Sequence, residues 1–353
     1  MKSLIKGIMW VYKMKKYDYF FIGELPPPYG GVAVKDNLVF QSAYANHNGY
    51  MLDLVECKRK PMKVPAIFIR MITGMVKSKY TVIGVGTNRR LRILLFIGRL
   101  IGRKKGLAKM IVHIMGGDFH NWLACNPRMI ALLKGVKGVW VESNEMVERL
   151  HKMGIDNAGF FPNCRTDDNV QLPKQNNADS PLRLVFFSRI CKEKGILYVI
   201  EAIEKLKNLE SNVTFDFYGE LSIDIKEIFD RLVAENKNVM FHGVFDSINN
   251  DVYQELNQYD VMLLPTFWRG EGVPGALIES KMSGITAIVT DWKFNKEIVL
   301  EDEGIVIDGN ITDSLVDAIL KLCNDRDLLM NLKKGAFRSK ERYCINNYIE
   351  LIL

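Results

Sequence analysis

Short apolar runs along the chain alternate with longer stretches in which apolar residues recur every three to four positions. The runs at residues 17–23, 82–86, 111–115 and 138–141 read as strands, as do those at 184–187, 213–218, 239–243 and 259–264. Between them, residues 32–44, 145–152, 196–206 and the stretch opening at Ala276 carry the helical period. Strands and helices in alternation are the sequence form of a parallel sheet covered on both faces, so the expected fold class is α/β. At 353 residues the chain exceeds one core. The polar stretch 166–181, TDDNVQLPKQNNADSP, interrupts the alternation. The expectation is therefore a first domain at 1–165, a linker at 166–181, a second domain at 182–337 and a last helical segment at 338–353.

Composition adds less than charge. Hydrophobic content of 48% and charged content of 25% are those of an ordinary globular protein. The six cysteines are scattered, with no C-x-x-C and no zinc-like pairing with histidine, and read as buried thiols of a reducing cytoplasm. Lys6, Lys13, Lys15 and Lys16 interrupt the first apolar stretch, so no cleavable signal peptide is expected, and no run of about eighteen apolar residues suggests a membrane span. The net charge of +7 is divided unevenly: residues 1–112 carry 21 Lys/Arg against 5 Asp/Glu, and the remainder 27 against 36. Residues 89–109 hold eight basic side chains and no acid, interleaved with Leu, Ile and Phe. Three readings fit that stretch: a surface lying on anionic lipid, a nucleic-acid face, or a core helix with a basic outer side. Phe96 is its single aromatic, which ranks lipid above nucleic acid and leads us to expect no nucleic-acid partner. Residues 1–16, basic and amphipathic with Ile5, Ile8, Met9 and Trp10, are a second candidate for an interfacial helix.

The most informative chemistry lies at 264–284, LPTFWRGEGVPGALIESKMSG. A strand ends in Pro265, a glycine-rich turn follows through Gly275, and a helix opens with Ala276, Leu277, Ile278 and Met282 available to a core. Such a junction gathers free backbone N–H groups and the positive end of a helix, which suits phosphate. Glu271 and Glu279 bracket the turn; acids there would repel phosphate and suit the hydroxyls of a sugar or a ribose instead.

In order, the segments D-V-M-L-L-P, E-G-V-P-G-A-L-I-E-S, S-G-I-T-A-I-V-T-D and N-K-E-I-V resemble the E-x7-E region of retaining glycosyltransferases of the GT4 kind, of the bacterial surface-polysaccharide type. The resemblance implies a GT-B fold: two Rossmann-like doubly wound domains facing each other across a cleft, the last helix crossing back to the first domain. It implies a nucleotide-sugar donor on the second domain, an acceptor on the first, and neither cofactor nor metal. Glu271 would hold sugar hydroxyls, Glu279 the ribose, and the backbone of Gly272, Val273, Pro274 and Gly275 the diphosphate. S-R-x-x-x-E-K-G at 188–195 is similar to the family's pyrophosphate loop, which gives Arg189 and Lys194 as the catalytic cations. Gly30 and Gly31, after three prolines, resemble the first glycine loop near the donor, and Val244 falls where the family packs the nucleobase.

One departure stands out. The family often reads H-x-H-G-G, whereas here His113 is followed by Met115, Gly116 and Gly117, with His120 downstream. His113 and His120 are therefore the acceptor-side candidates. Asp325-Arg326-Asp327 imitates a metal-binding D-x-D but sits in a helical pattern and reads as solvated charge. The expected function is transfer of a hexose-type sugar to a lipid-linked glycan acceptor by a cytoplasmic protein peripheral to the inner face of the membrane. The alternatives are a GT-B nucleotide-sugar epimerase and a transferase with a soluble acceptor.

Overall fold

The computed structural model describes residues 16–27, 30–175, 177, 179–209, 211–247 and 249–353. Residues 1–15 of the candidate interfacial segment at 1–16 lie outside them. The chain divides into two compact units, one of residues up to Thr166 together with Ile345–Leu353, the other Asp167–Cys344.

The first unit is a six-stranded sheet in the order β2-β1-β3-β4-β5-β6, with every pair parallel. Its strands are β1 Tyr19–Gly23, β2 Gly49–Asp53, β3 Tyr80–Val85, β4 Met110–Ile114, β5 Gly138–Val141 and β6 Ala158–Phe160. All five residues of β1 and of β4 are buried, as a strand covered on both faces requires. Successive side chains of β1 point to opposite faces. Phe21 meets Tyr44 and His113 on one face, beyond the helix α1 Gly31–Val39, which continues as a π-type turn over Phe40–Tyr44. On the other face lies Phe20, against which Gly74 of α2 Val64–Lys77 packs; any Cβ at Gly74 would collide with the ring. The long helix α3 Asn88–Ala108 packs beside α2 over β3 and β4.

The pattern over 338–353 fits one helix, yet the chain there is a series of short turns, Lys340–Tyr343, Ile345–Asn347 and Ile349–Ile352, broken by an extended Cys344 (φ −71°, ψ 123°). The break lets the Ile345 amide donate to Arg165 O at 2.9 Å. The hydroxyls of Tyr19 and Tyr44 then donate to Leu353 O at 2.7 Å and to Ile352 O at 3.0 Å. Tertiary hydrogen bonds thus replace the helical ladder.

The second unit is a six-stranded sheet in the order β12-β11-β10-β7-β8-β9, again with every pair parallel. Its strands are β7 Leu182–Phe187, β8 Val213–Tyr218, β9 Val239–Gly243, β10 Val261–Leu264, β11 Thr286–Thr290 and β12 Gly304–Ile307. The chain starts mid-sheet at β7, winds out to β9, then returns through β10 to the other edge. The strand order reverses between β7 and β10, the point at which doubly wound sheets leave a crevice outside their carboxyl ends.

The stretch 166–181 is not a free linker. Its carbonyls are taken by side chains of the second unit: Asn257 donates to Leu172 O at 2.9 Å, Lys333 to Lys174 O at 2.7 Å and Arg326 to Ser180 O at 2.8 Å. A segment held through its backbone needs no apolar side chains, which is why its composition reads as a loop. The strands β2, β6, β11 and β12 have no counterpart in the sequence reading: β2 is mostly half-buried, β6 is three residues long, and the short runs of β11 and β12, TAIVT and GIVI, are not told from a buried helix segment by periodicity.

Candidate active site

At the switch point of the second unit, two loops meet. The first, 188–195, leaves β7 and ends in Gly195, whose φ of +83° is left-handed. A Cβ at Gly195 would strike the carbonyl oxygen of Pro265, so glycine allows the second loop, 265–274, to lie against the first. The Phe267 amide donates to Glu193 O at 2.8 Å, tying the two together.

This junction brings Lys194 onto Glu271, 77 positions apart in sequence: Lys194 Nζ donates to Glu271 Oε2 at 2.6 Å. Their side chains are 11% and 9% exposed. Thr266 Oγ1 donates to the same oxygen at 2.8 Å while accepting from the Trp268 amide at 3.1 Å. Thr290 Oγ1, at the end of β11, donates to Thr266 O at 2.6 Å, and Trp292 Nε1 to Trp268 O at 2.9 Å. The carboxylate is thereby held on a frame fixed from two neighbouring strands. Lys194 has three N–H donors, so an ammonium bonded once to Glu271 keeps capacity for an anion.

Arg189 is exposed, and its guanidinium carbon stands 4.5 Å from the centroid of the Trp268 ring. Stacking holds a guanidinium flat while leaving its N–H fork open to an anion. The helix Gly275–Met282 follows the second loop with Pro274 at its N-cap and no side-chain cap. Its first N–H groups therefore remain available to a ligand. Within the helix, Lys281 donates to Glu303 at 2.7 Å, anchoring the buried side. Gly275 and Glu279 of the same helix are half-buried, as is Gly272 in the loop before it, while Val273 and Pro274 are buried.

Residues 167–339 match the profile of the family described as glycosyl transferases group 1, a span that falls within the second unit. That unit belongs to the glycosyl transferases group 1. Among curated relatives, a UDP-Gal:alpha-D-GlcNAc-diphosphoundecaprenol alpha-1,3-galactosyltransferase of Escherichia coli is 24% identical over 69% of this chain and 67% of its own length. A poly(glycerol-phosphate) alpha-glucosyltransferase of Bacillus subtilis (strain 168) is 22% identical over 60% of this chain, which spans 31% of that protein. A crystal structure of Anabaena HepE in complex with UDP and glucose superposes with a TM-score of 0.71 at 12% identity, covering 95% of this chain and 98% of that one. Two successive doubly wound units with such neighbours make the fold GT-B.

The remaining candidates are placed as follows. Val244 follows β9 and is exposed beside an aromatic group in which His242 stacks on Tyr218 at 4.5 Å and Phe245 packs on Phe187 at 5.6 Å. In the first unit, Gly30 caps α1 and Gly31 opens it, and a Cβ at either would meet nothing within 4 Å. Packing does not require glycine at these two positions. His113 is in the core between Phe21 and Phe161, with Tyr44 Oη 3.4 Å from its Nε2. Burial, and secondarily Lys35, lower its pKa to about 3, so the imidazole stays neutral. It is enclosed by the fold, not presented to an acceptor. His120 is half-buried on the helix Phe119–Ala124 and accepts from Arg149, which also pairs with Glu145. Asp325 is an N-cap, accepting from the Leu328 amide at 2.8 Å, and among the described residues no three His, Cys, Asp or Glu gather as metal ligands.

Thr266 and Trp268 were missed in the sequence, although both sit in the P-T-F-W run that ends β10. Also unforeseen is a buried polar layer in the first unit. Lys35 Nζ donates to Glu142 Oε1 at 2.7 Å, and Asp36, its pKa raised by burial, accepts from the Glu24 amide at 2.9 Å. Gly23 and Gly84 make room for the Asp36 carboxyl.

Proposed function

We propose that the chain transfers a hexose-type sugar from a nucleoside diphosphate donor to a lipid-linked glycan acceptor, with retention of anomeric configuration, in cell-surface polysaccharide synthesis. The observation that carries this reading is the Lys194–Glu271–Thr266 contact at the carboxyl ends of β7 and β10, beside an uncapped helix start and the stacked Arg189. Cations and free N–H groups at one point match a diphosphate whose negative charge grows as it departs. A carboxylate held from below by a hydroxyl and an ammonium matches a sugar whose hydroxyls must be fixed while the ring flattens.

On this reading Arg189, Lys194 and the amides of 272–275 stabilise the leaving diphosphate, Glu271 holds sugar hydroxyls and Glu279 the ribose. The acceptor oxygen attacks from the face that the diphosphate leaves. The aromatic group beside Val244 takes the base. Gly30 and Gly31 belong to the glycine loop near the donor, and His120 to the acceptor side. Side-chain cations and backbone amides offset the negative charge of the leaving group, so the proposed reaction needs no metal. Support for a lipid-linked acceptor comes from the Escherichia coli relative, whose name specifies a diphosphoundecaprenol acceptor. Support for work at the inner membrane face comes from the basic first unit; among the described residues no helix is long and apolar enough to cross a membrane.

The test is incubation of the purified protein with a panel of nucleotide sugars and lipid-linked acceptors, with and without chelator, read by mass spectrometry and by NMR of the new anomeric centre. Nucleoside diphosphate released only when acceptor is present supports transfer. Interconversion of the donor sugar without acceptor indicates an epimerase.

A further inference from the structure

Seventeen large hydrophobic side chains are exposed among the described residues, and eight of them lie between Met62 and Leu100. On α3 the exposed positions Arg89, Arg92, Ile93, Phe96, Arg99 and Leu100 recur at helical spacing and form one stripe. Its opposite side, Leu91, Leu94, Leu95 and Gly98, is buried on the sheet. α2 is built the same way: Ile67, Met71, Thr73, Gly74 and Met75 are buried, whereas Val64, Phe68, Ile69 and Val76 are exposed. The two helices pack side by side over β1, β3 and β4, so their outer stripes make one surface. Phe68 is 51% exposed, Phe96 42% and Leu100 80%. A groove of about 230 Å³ opens between the helices, lined by Val76, Gly98, Ile101, Gly102, Lys105 and Gly106 among others.

The charge of this region is one-sided. From Cys57 to Gly117 the sequence has fifteen Lys or Arg and no Asp or Glu. A helix face used only for solubility carries both signs and few aromatics. Two aromatics and several aliphatics flanked by arginines, with no acid on either helix, match a surface whose partner is apolar inside and negative outside.

We propose that the outer face of α2 and α3 docks on an anionic lipid bilayer, with Phe68, Phe96 and Leu100 entering the interface and Arg89, Arg92 and Arg99 bonding the headgroups. Apolar insertion supplies an attraction that salt does not screen, and the arginines one that salt does. The proposal rests on the membrane reading above for its purpose and not for its test, which involves neither donor nor transfer.

The full chain is sedimented with vesicles of phosphatidylcholine alone and of phosphatidylcholine with phosphatidylglycerol, at low and high salt. Wild type binds the anionic vesicles, and binding weakens without vanishing at high salt. The variant Phe68→Ser/Phe96→Ser/Leu100→Ser, altered only at exposed positions, loses about tenfold or more of that affinity, and Arg92→Gln/Arg99→Gln loses the salt-sensitive part. Circular dichroism confirms that each variant is folded. In Phe96→Trp, bilayers with brominated acyl chains quench added tryptophan emission. Binding unchanged in the serine variant overturns the proposal, as does equal binding to neutral and anionic vesicles. Failure to bind lipid together with a dimer that the serine variant abolishes also overturns it, and assigns the face to a second copy of the chain. Loss of sugar transfer with vesicle binding intact counts against the function reading alone.

Discussion

Lys194→Ala removes the ammonium that reaches Glu271 Oε2 and leaves a carboxylate 9% exposed with the Thr266 hydroxyl at 2.8 Å. Neither side chain is exposed enough for the pair to count as a surface ion pair. Taking one member from a buried pair costs about 3–5 kcal/mol, because the remaining charge is stranded. The surviving hydroxyl bond keeps the expectation at the lower end, about 3 kcal/mol in the second unit. A two-unit chain does not unfold in one step, so native-state hydrogen exchange in β7 and β10 is the measurement of choice. Adding Glu271→Gln to Lys194→Ala neutralises the stranded charge and restores about half of the loss. Activity follows a different course. Lys194 is also the cation at the proposed diphosphate, so Lys194→Ala loses about 2–4 kcal/mol of transition-state stabilisation, roughly 30- to 1,000-fold in kcat/KM, and the double variant, which also lacks the Glu271 carboxylate, loses at least as much while its stability recovers. Protection in Lys194→Ala within about 0.5 kcal/mol of wild type, with near-normal turnover at saturating donor, refutes the reasoning.

Arg189→Ala gives the complementary result: the guanidinium is exposed and loses only a stacking contact, so stability falls by about 1 kcal/mol or less while turnover falls as far as in Lys194→Ala. Glu279→Gln raises KM with little change in kcat, because a ribose contact is made in ground and transition states alike, whereas Glu271→Gln lowers kcat more than it raises KM; steady-state kinetics with the competent donor distinguishes them. His113 introduces a pH dependence. Its folded pKa lies near 3, below the ordinary 6.5, so the unfolded chain takes up a proton that the native chain refuses. Its contribution is complete above pH 6.5 and lost as pH falls toward 3, at about 1.4 kcal/mol per pH unit at the steepest. Hydrogen exchange in β4 between pH 4 and 8 shows a shallower acid limb in His113→Gln.

Much of this protein follows from local sequence. Apolar runs such as YFFIG and VMLL are strands covered on both faces, because a parallel sheet buries every position. The glycines and acids of 264–284 announce a ligand-binding turn, since only glycine lets backbone approach so closely and only an unfilled helix start leaves donors free. Tertiary structure decided what depends on residues distant in sequence. The Lys194–Glu271 bond spans 77 positions and exists because the strand order reverses between β7 and β10, a property of the winding and not of either loop. Thr266 gained its place from hydrogen bonds that reach it from β11. His113 has the residue type of a catalytic group, and β4 places it in the core between aromatic rings, where its charged form cannot be solvated. Residues 166–181 and 345–353 show the same limit. The first segment is polar because its carbonyls serve buried side chains, and the second is apolar because it completes the first unit's core. Periodicity reports which side of a segment is apolar; which surface covers that side is determined by the fold.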